Sequence, residues 1–213
     1  MPGLTEGIPH IIHQIWFGPP LPDHLAAHAQ SWVDLHPTWD YRYWTEDNLP
    51  LLRNQALWDT AESIVPGHSV GQFRSDVARY EILHNYGGIY VDCDMEPLRP
   101  IDDLIAGLTA FAAWETDTLA NNAFMGATPN HPWVMALILG VPDRVARHRG
   151  KSTNAITGPA YVTPLAFQHG VTLLPREKIY PYSWDELERR GETFPEAYMV
   201  HRWHHRMTIK GLV

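Results

Sequence analysis

Two closely spaced carboxylates are the first feature of this sequence that could carry out chemistry. Asp92 and Asp94 flank Cys93 directly after the apolar run at residues 87–91, and they form the only Asp-x-Asp of the sequence. Because side chains alternate along a strand, residues i and i+2 leave it on the same side. The pair could therefore close on Mg²⁺ or Mn²⁺, which take oxygen ligands and keep positions open for phosphate oxygens. Two solvated turn aspartates, or a helix-capping pair, are the alternative interpretation.

The helix predicted before this strand carries two charged residues on or beside its apolar stripe. The stripe follows helical spacing and consists of Phe73, Val77, Tyr80 and Leu83. Asp76 falls inside the stripe, and Arg79 lies one turn further along at its edge. A carboxylate on a buried face is costly unless it is paired. Either the two residues form an i,i+3 ion pair at the helix rim, or they face a cleft and bind sugar hydroxyls and phosphate. The residues alone leave both alternatives open.

Three other residues have weaker claims to a site. Trp16 lies at the end of the first predicted strand and could stack on a nucleobase, although a Trp is more often part of a core. His201 begins a His-rich segment at residues 201–205 that could complete a metal site or lie on the solvated surface. Cys93 should point away from the metal and pack as a small side chain.

The elements that must position these residues alternate between helices and short apolar strands, which predicts a layered α/β fold. No repeat or linker divides the sequence, so residues 1–213 are expected to form one domain. Gly87-Gly88 supplies a helix C-cap. Strands are predicted at 8–17, 41–44, 89–92, 109–114, 122–127, 171–174 and 198–203. Helices are predicted at 22–35, around 46–64, at 70–86, at 132–148, after 158–159 and at 184–190.

Composition excludes several classes of protein. The formal net charge of -8 disfavours nucleic acid or an anionic membrane as the main partner. A single cysteine excludes an intrachain disulfide framework and a multi-cysteine zinc module. The first residues lack a signal peptide, and the longest apolar run, at 133–141, is too short to span a bilayer. These features predict a soluble cytoplasmic protein, and they leave peripheral attachment at the inner membrane surface open.

Four sequence blocks carry a resemblance to a known family. They are IPHIIHQIWFG at 8–18, SDVARYEILHNYGGIYVDCD at 75–94, NNAFMGATPNHP at 121–132, and TGPAYVT at 157–163 with HRW at 201–203. In this order they resemble the glycosyltransferases grouped by a DXD-containing sugar-binding region. That group includes outer-chain mannosyltransferases and many capsular-polysaccharide sugar transferases. The catalytic domains of the large clostridial glucosylating toxins are similar but more distant.

The resemblance implies a GT-A-like α/β fold, in which a Rossmann-type nucleotide-binding mixed sheet is flanked by helices. It implies that Asp92 and Asp94 hold Mn²⁺ or Mg²⁺ against the diphosphate of a nucleotide-sugar donor. His201 matches the histidine of the family's closing H-x-W segment and is expected to be a further metal ligand.

The resemblance also assigns the donor-binding residues. Asp76 and Arg79 match the family's S-D-x-x-R-Y positions, which contact the donor sugar and favour the cleft over the rim ion pair. Catalytic roles therefore fall on these two residues and on Asp94. Trp16 matches the aromatic that stacks on the nucleobase in the toxin relatives. The blocks that line the sugar pocket contribute Asn122, Gly158 and Pro159.

The function implied is a metal-dependent, retaining transfer of a hexosyl group from a UDP- or GDP-sugar in polysaccharide biosynthesis. The acceptor would be a hydroxyl of a glycan, a lipid-linked molecule or a protein. No residue stands out as a covalent nucleophile, so front-face transfer is expected. The sequence departs from the family at Arg206-Met207, where a Ser-Trp pair is common. The chain is also short, so the acceptor-binding portion is reduced or comes from a partner subunit of undetermined stoichiometry.

Two rival classes remain. A haloacid-dehalogenase-type phosphatase also places D-x-D after an apolar strand, but usually on the first strand of the chain. A non-catalytic nucleotide-sugar-binding module would keep the fold and lose turnover. The intact set of Asp76, Arg79, Asp92 and Asp94 argues against such decay.

Overall fold

The structure is a computed structural model that describes residues 7–204. Its main layer is a six-stranded mixed sheet. Its strands in chain order are β1 (Ile11–Ile15), β2 (Asp40–Trp44), β3 (Gly88–Val91), β5 (Ala110–Trp114), β6 (Ala120–Ala127) and β7 (Thr172–Leu174). Two further strands, β4 (Met95–Pro97) and β8 (Met199–His201), form a separate two-stranded sheet. The order across the main sheet is β2-β1-β3-β6-β5-β7. Parallel pairs join β1 to β2 and β3, and β5 to β7, whereas β6 is antiparallel to both neighbours.

Helices cover both faces of this sheet. They are α1 (Asp23–Leu35), α2 (Gln55–Asp59), α3 (Val70–Tyr86), α4 (Asp102–Ile105), α5 (Pro132–His148), α6 (Thr153–Ile156), α7 (Pro159–Gln168) and α8 (Arg176–Ile179), with 3₁₀ turns at Ala61–Ser63, Gly67–Ser69 and Leu187–Gly191. Alternation along β3 sends Tyr90 into the core shared with α3, α5 and α7, and Ile89 and Val91 into the core shared with α1. The predicted α/β class with a mixed sheet is therefore confirmed.

The junction between α3 and β3 depends on two glycines. Gly87 ends the helix at φ 63°, and its N–H donates to the carbonyl of Leu83, as a C-cap requires. Gly88 follows at φ 91°, and a Cβ there would lie 2.5 Å from the carbonyl oxygen of Ile11. Only glycine tolerates this combination of left-handed backbone and close approach. The junction fixes where β3 begins, and hence the position of Asp92, which directly follows the last residue of that strand.

Two predicted elements differ from the structure, and the strand β4 and the short helices α4, α6 and α8 were not predicted. The helix predicted at 184–190 is a 3₁₀ turn at Leu187–Gly191. The Glu186 carboxylate accepts the backbone N–H of Ser183 at 2.9 Å, which is the contact of a helix capping box, but the chain that follows forms only the 3₁₀ turn. The helical region predicted around 46–64 contains only the short α2 and a 3₁₀ turn.

Candidate active site

The D-x-D segment lies in a turn and not in the strand itself. The N–H of Asp92 still bonds to the carbonyl of Ala123 at 2.9 Å, and the N–H of Met95 then donates to the carbonyl of Asp92 at 3.0 Å. The carboxylates of Asp92 and Asp94 therefore lie close together because a turn folds the chain back. The alternation of side chains along a strand predicted that they would be close, but for the wrong reason. The Cys93 thiol is buried and contacts the carbonyl of Ile15 at 3.4 Å, as expected of a packed side chain.

His201 reaches the carboxylates through the small second sheet. β8 runs antiparallel to β4 with Met95 opposite His201. This pairing places Nε2 of His201 3.5 Å from Oδ1 of Asp94 and 3.9 Å from Oδ2 of Asp92. One ligand atom from each of the three residues lies within 4.8 Å of the others. Two carboxylates and an imidazole in such a group fit Mn²⁺, and fit Mg²⁺ less well because of the nitrogen ligand.

The environment of His201 sets which ring nitrogen faces the carboxylates. The backbone N–H of Trp203 donates to Nδ1 at 3.1 Å, which places the proton of the neutral ring on Nε2, the nitrogen that faces Asp92 and Asp94. Burial lowers the pKa of His201, but the carboxylates of Asp94 and Asp92 more than offset this and raise it above its ordinary value. A proton and a divalent cation would therefore compete for the same nitrogen.

Arg79 lies between a helix carboxylate and a metal-site carboxylate. One terminal nitrogen of its guanidinium is 3.1 Å from Oδ1 of Asp76 and 3.2 Å from Oδ1 of Asp92, and the group covers the ring of Tyr90 at 4.1 Å. The side chains of Arg79 and Asp76 are only 5% and 6% exposed, so their i,i+3 ion pair is buried and not at a helix rim. Burial raises the pKa of Asp92, but Arg79 and then His201 outweigh it and hold that pKa below its usual range.

Asp76 also receives two neutral donors from other elements. Nδ2 of Asn122, on β6, donates to its Oδ1 at 2.8 Å, and the hydroxyl of Thr157, just before α7, donates to its Oδ2 at 2.7 Å. A carboxylate oxygen can accept two hydrogen bonds. Within the described part of the chain Oδ2 uses one of them, which leaves capacity for a ligand hydroxyl. Thr157 was not predicted as a site residue, although it opens the TGPAYVT block.

A cleft of about 710 Å³ joins these groups. All nine site residues predicted from the sequence border it, namely Trp16, Asp76, Arg79, Asp92, Asp94, Asn122, Gly158, Pro159 and His201. The cleft opens at the carboxyl ends of the parallel strands β1 and β3, the usual ligand position in α/β sheets. Trp16 follows β1, and its indole N–H donates to the carbonyl of Pro19 at 2.7 Å. Gly158 caps the start of α7, and Pro159 is the first residue of that helix.

The cleft also contains side chains that the sequence did not single out. Glu115, Asn121 and Trp184 line it, the first two at the facing ends of β5 and β6. The adjacent residues Asn121 and Asn122 were a possible signal, but nothing in the sequence tied Glu115 to them. Arg206 and Met207, where the sequence departs from the family, lie outside the described residues.

A mixed sheet of this topology, with an acidic pair in the turn after β3, defines the GT-A fold of glycosyltransferases. Residues 22–110 match the family model of the glycosyltransferase sugar-binding region containing DXD motif, which confirms the resemblance inferred from the sequence blocks. Inositol phosphoceramide mannosyltransferase 3 of Schizosaccharomyces pombe is 27% identical over 94% of this chain and 57% of its own length. The relatives that this chain resembles are named as glycosyltransferases, the enzyme class that the sequence predicts.

Solved structures give the same fold. The PaToxG glycosyltransferase matches with a TM-score of 0.66 at 16% identity, covering 76% of this chain and 70% of that chain. The catalytic domain of alpha-toxin from Clostridium novyi matches with a TM-score of 0.58 at 10% identity, covering 98% and 81% of the two chains. The predicted GT-A fold and its likeness to clostridial toxin domains are therefore confirmed.

The match in length is partial. The chain spans about half the length of the curated relatives it matches. Between residues 7 and 204, none of the helices combines the length and apolar character needed to cross a membrane. The cytoplasmic location predicted from the sequence stays a prediction.

Proposed function

We propose that this cleft transfers a hexosyl group from a nucleotide diphosphate sugar to a hydroxyl acceptor, with retention of the anomeric configuration. The observation that carries the proposal is the convergence of Asp92, Asp94 and His201 beside the buried pair of Asp76 and Arg79. A nucleotide diphosphate sugar needs a cation beside its diphosphate and, next to that, a group such as a carboxylate that accepts hydrogen bonds from the hydroxyls of the sugar.

The roles of the residues follow from their contacts. A divalent cation held by Asp92, Asp94 and His201 would neutralise the charge that develops on the departing diphosphate. Arg79 fixes the orientation of the Asp92 carboxylate through the 3.2 Å contact between them. Asp76, held by its three donors, offers its Oδ2 to a hydroxyl of the donor sugar. Such preorganised groups act without reorganising during the reaction.

The remaining contacts with the nucleotide sugar come from two groups of residues that line the cleft. The indole of Trp16 would stack on the nucleobase, since it borders the cleft and stays partly exposed. Asn122, Gly158 and Pro159 would enclose the sugar on the side of α7. The similarity to a mannosyltransferase makes a GDP-linked mannosyl donor the first to test, with UDP-linked hexoses as the comparison.

The test is release of nucleotide diphosphate from a panel of UDP- and GDP-sugars, with Mn²⁺ or with EDTA. We expect turnover of one donor with Mn²⁺ and none with EDTA. Asp92→Asn and Asp94→Asn should each lose most of it. Asp143→Asn removes a carboxylate from an exposed surface ion pair with Arg147 and should retain full activity.

Two outcomes would refute the proposal. Phosphate release from simple phosphomonoesters, without cleavage of any nucleotide sugar, would indicate the phosphatase class. Tight nucleotide-sugar binding without turnover, with or without added alcohols, would indicate the binding module.

A further inference from the structure

Glu115 and Asn121 form a buried polar pair that the proposed donor chemistry does not use. Nδ2 of Asn121 donates to Oε2 of Glu115 at 2.8 Å, and the backbone N–H of Ala123 donates to Oδ1 of Asn121 at 2.7 Å. The second contact fixes which way the amide points, so Asn121 presents its donor group to the carboxylate. Glu115 and Asn121 are 7% and 9% exposed. The carboxylate is thus held in one orientation at the wall of the cleft.

Glu115 lines the same cleft as His201, the histidine of the metal site. It stands at the end of β5, whereas Asp76 comes from α3. The cleft therefore has carboxylates on two of its walls, one from the helix α3 and one from the segment that follows β5.

Trp184 adds an aromatic surface to the same cleft. It lies between α8 and the 3₁₀ turn at Leu187–Gly191, lines the cleft, and is 39% exposed. A six-membered ring that carries hydroxyl groups has an apolar face of C–H groups and a polar rim. An indole covers the face, and carboxylate or amide groups bind the rim.

The other side chains of the cleft favour such a ring over an acyl chain. Apart from Trp184, the exposed side chains that line the cleft are polar and include those of His68, Gln72, Ser152 and Asn154. An alkyl chain bound among them would leave polar groups without water or partners, which is costly.

We propose that Trp184, Glu115 and Asn121 form an acceptor subsite for a six-membered polyhydroxylated ring, either a pyranose or a cyclitol. The proposal rests on the transferase function proposed above and names its substrate class. Trp184 covers the face of the ring, and the Glu115 carboxylate, positioned by Asn121, accepts a hydrogen bond from a ring hydroxyl.

The experiment measures binding and donor cleavage separately. Saturation-transfer NMR with methyl α-mannoside, methyl β-glucoside, methyl β-galactoside and myo-inositol is recorded with UDP or GDP and Mg²⁺, since Mn²⁺ would broaden the signals. The arms of the panel separate the pyranose from the cyclitol. We expect at least one ring to bind, and Trp184→Ala and Glu115→Gln to weaken its binding tenfold or more.

Matched variants keep the test independent of folding. Phe167→Ala removes another exposed aromatic, 62% exposed on α7 and outside the cleft, and should bind the ring as the wild type does. Trp184→Phe keeps an aromatic face and should retain most of the binding. Phe167→Ala should also hydrolyse the donor without an acceptor at the wild-type rate, because Phe167 lies outside the cleft.

The outcomes separate this proposal from the transferase function. Intact donor hydrolysis without binding of any ring, or equal ring binding by Trp184→Ala and Phe167→Ala, would overturn the acceptor subsite alone. Transfer only to an alkyl alcohol or to a peptide hydroxyl would also overturn it. Absence of donor cleavage by the wild type would refute the transferase function itself, and the acceptor role with it.

Discussion

Arg79→Met is the substitution whose cost the structure defines best. Methionine replaces the aliphatic part of arginine but carries no charge, so the change leaves the carboxylates of Asp76 and Asp92 without the guanidinium that now lies 3.1 and 3.2 Å from them. It also removes the donor to the carbonyl of Asn122 at 2.7 Å. Breaking a buried ion pair by removing one partner costs about 3–5 kcal/mol of unfolding free energy. This is a large share of the roughly 5–15 kcal/mol that stabilises a typical domain.

Urea denaturation followed by circular dichroism measures this cost against a matched surface variant. Arg147→Met removes an arginine from an i,i+4 pair with Asp143 in which both side chains are more than half exposed. An exposed helix pair of this kind contributes about 0.3–0.5 kcal/mol. We therefore expect the midpoint of Arg79→Met to fall far below that of Arg147→Met, with similar slopes.

A double variant identifies the origin of the loss. In the Arg79→Met background, Asp76→Asn removes one of the unpaired charges, and its amide can keep part of the bonding to Thr157. The double variant should therefore be more stable than the two single losses predict by addition, with a coupling of about 0.5–3 kcal/mol. Equal stability of Arg79→Met and Arg147→Met, or strict additivity, would show that Arg79 does not bridge these carboxylates.

Three further substitutions test other parts of the molecule. Asp76→Asn should reduce sugar transfer about tenfold to a hundredfold, the effect of roughly 1.5–3 kcal/mol, and change calorimetric binding of the bare nucleotide much less. His201→Ala should remain folded and require more Mn²⁺ for half-maximal activity; an unshifted metal titration would exclude it as a ligand. Burial lowers the pKa of His13 to about 4, and Nδ1 of His13 accepts the indole N–H of Trp44 at 3.1 Å. The unfolded chain therefore binds a proton at His13 at a higher pH than the folded chain does. The free energy of unfolding should decrease by roughly 3 kcal/mol as the pH falls from 6.5 toward 4. His13→Gln should show a flatter pH dependence of urea unfolding, and parallel curves would contradict this.

The parts of the site that the sequence predicted are those with local signals. The helix α3 was predictable because its stripe repeats at helical spacing and Gly87-Gly88 ends it. The acidic pair follows immediately, so its place after a buried strand needed no long-range information. The convergence of Asp92 with Asp94 was also predicted, but it depends on a turn and not on strand alternation.

The parts that the sequence missed depend on contacts between distant segments. β4 has three residues and exists because Met95 pairs with His201, more than a hundred residues away in the chain. The resemblance suggested His201 as a ligand, but only this pairing brings its ring to the carboxylates. Glu115 was missed for the same reason, since its neighbour Asn121 faces it only after the hairpin between β5 and β6 has formed.

The charge of the site leads to one last prediction, about the order in which ligands bind. Asp76, Asp92 and Asp94 against the guanidinium of Arg79 leave a formal charge of -2 on these four side chains, in a chain of net charge -8. A nucleotide diphosphate brought to this point is repelled, and the repulsion is stronger where the surroundings exclude water. One divalent cation cancels the formal charge, so cation and nucleotide should bind with positive coupling. By linkage, each should raise the affinity of the other by the same factor. Calorimetric titration of UDP and GDP with Mn²⁺ or with EDTA measures that factor. We expect it to exceed tenfold for the wild type and to shrink toward one in Asp94→Asn, because the loss of a carboxylate weakens the cation site and the repulsion together. Equal nucleotide affinity in the two buffers would show that the diphosphate binds away from Asp92 and Asp94.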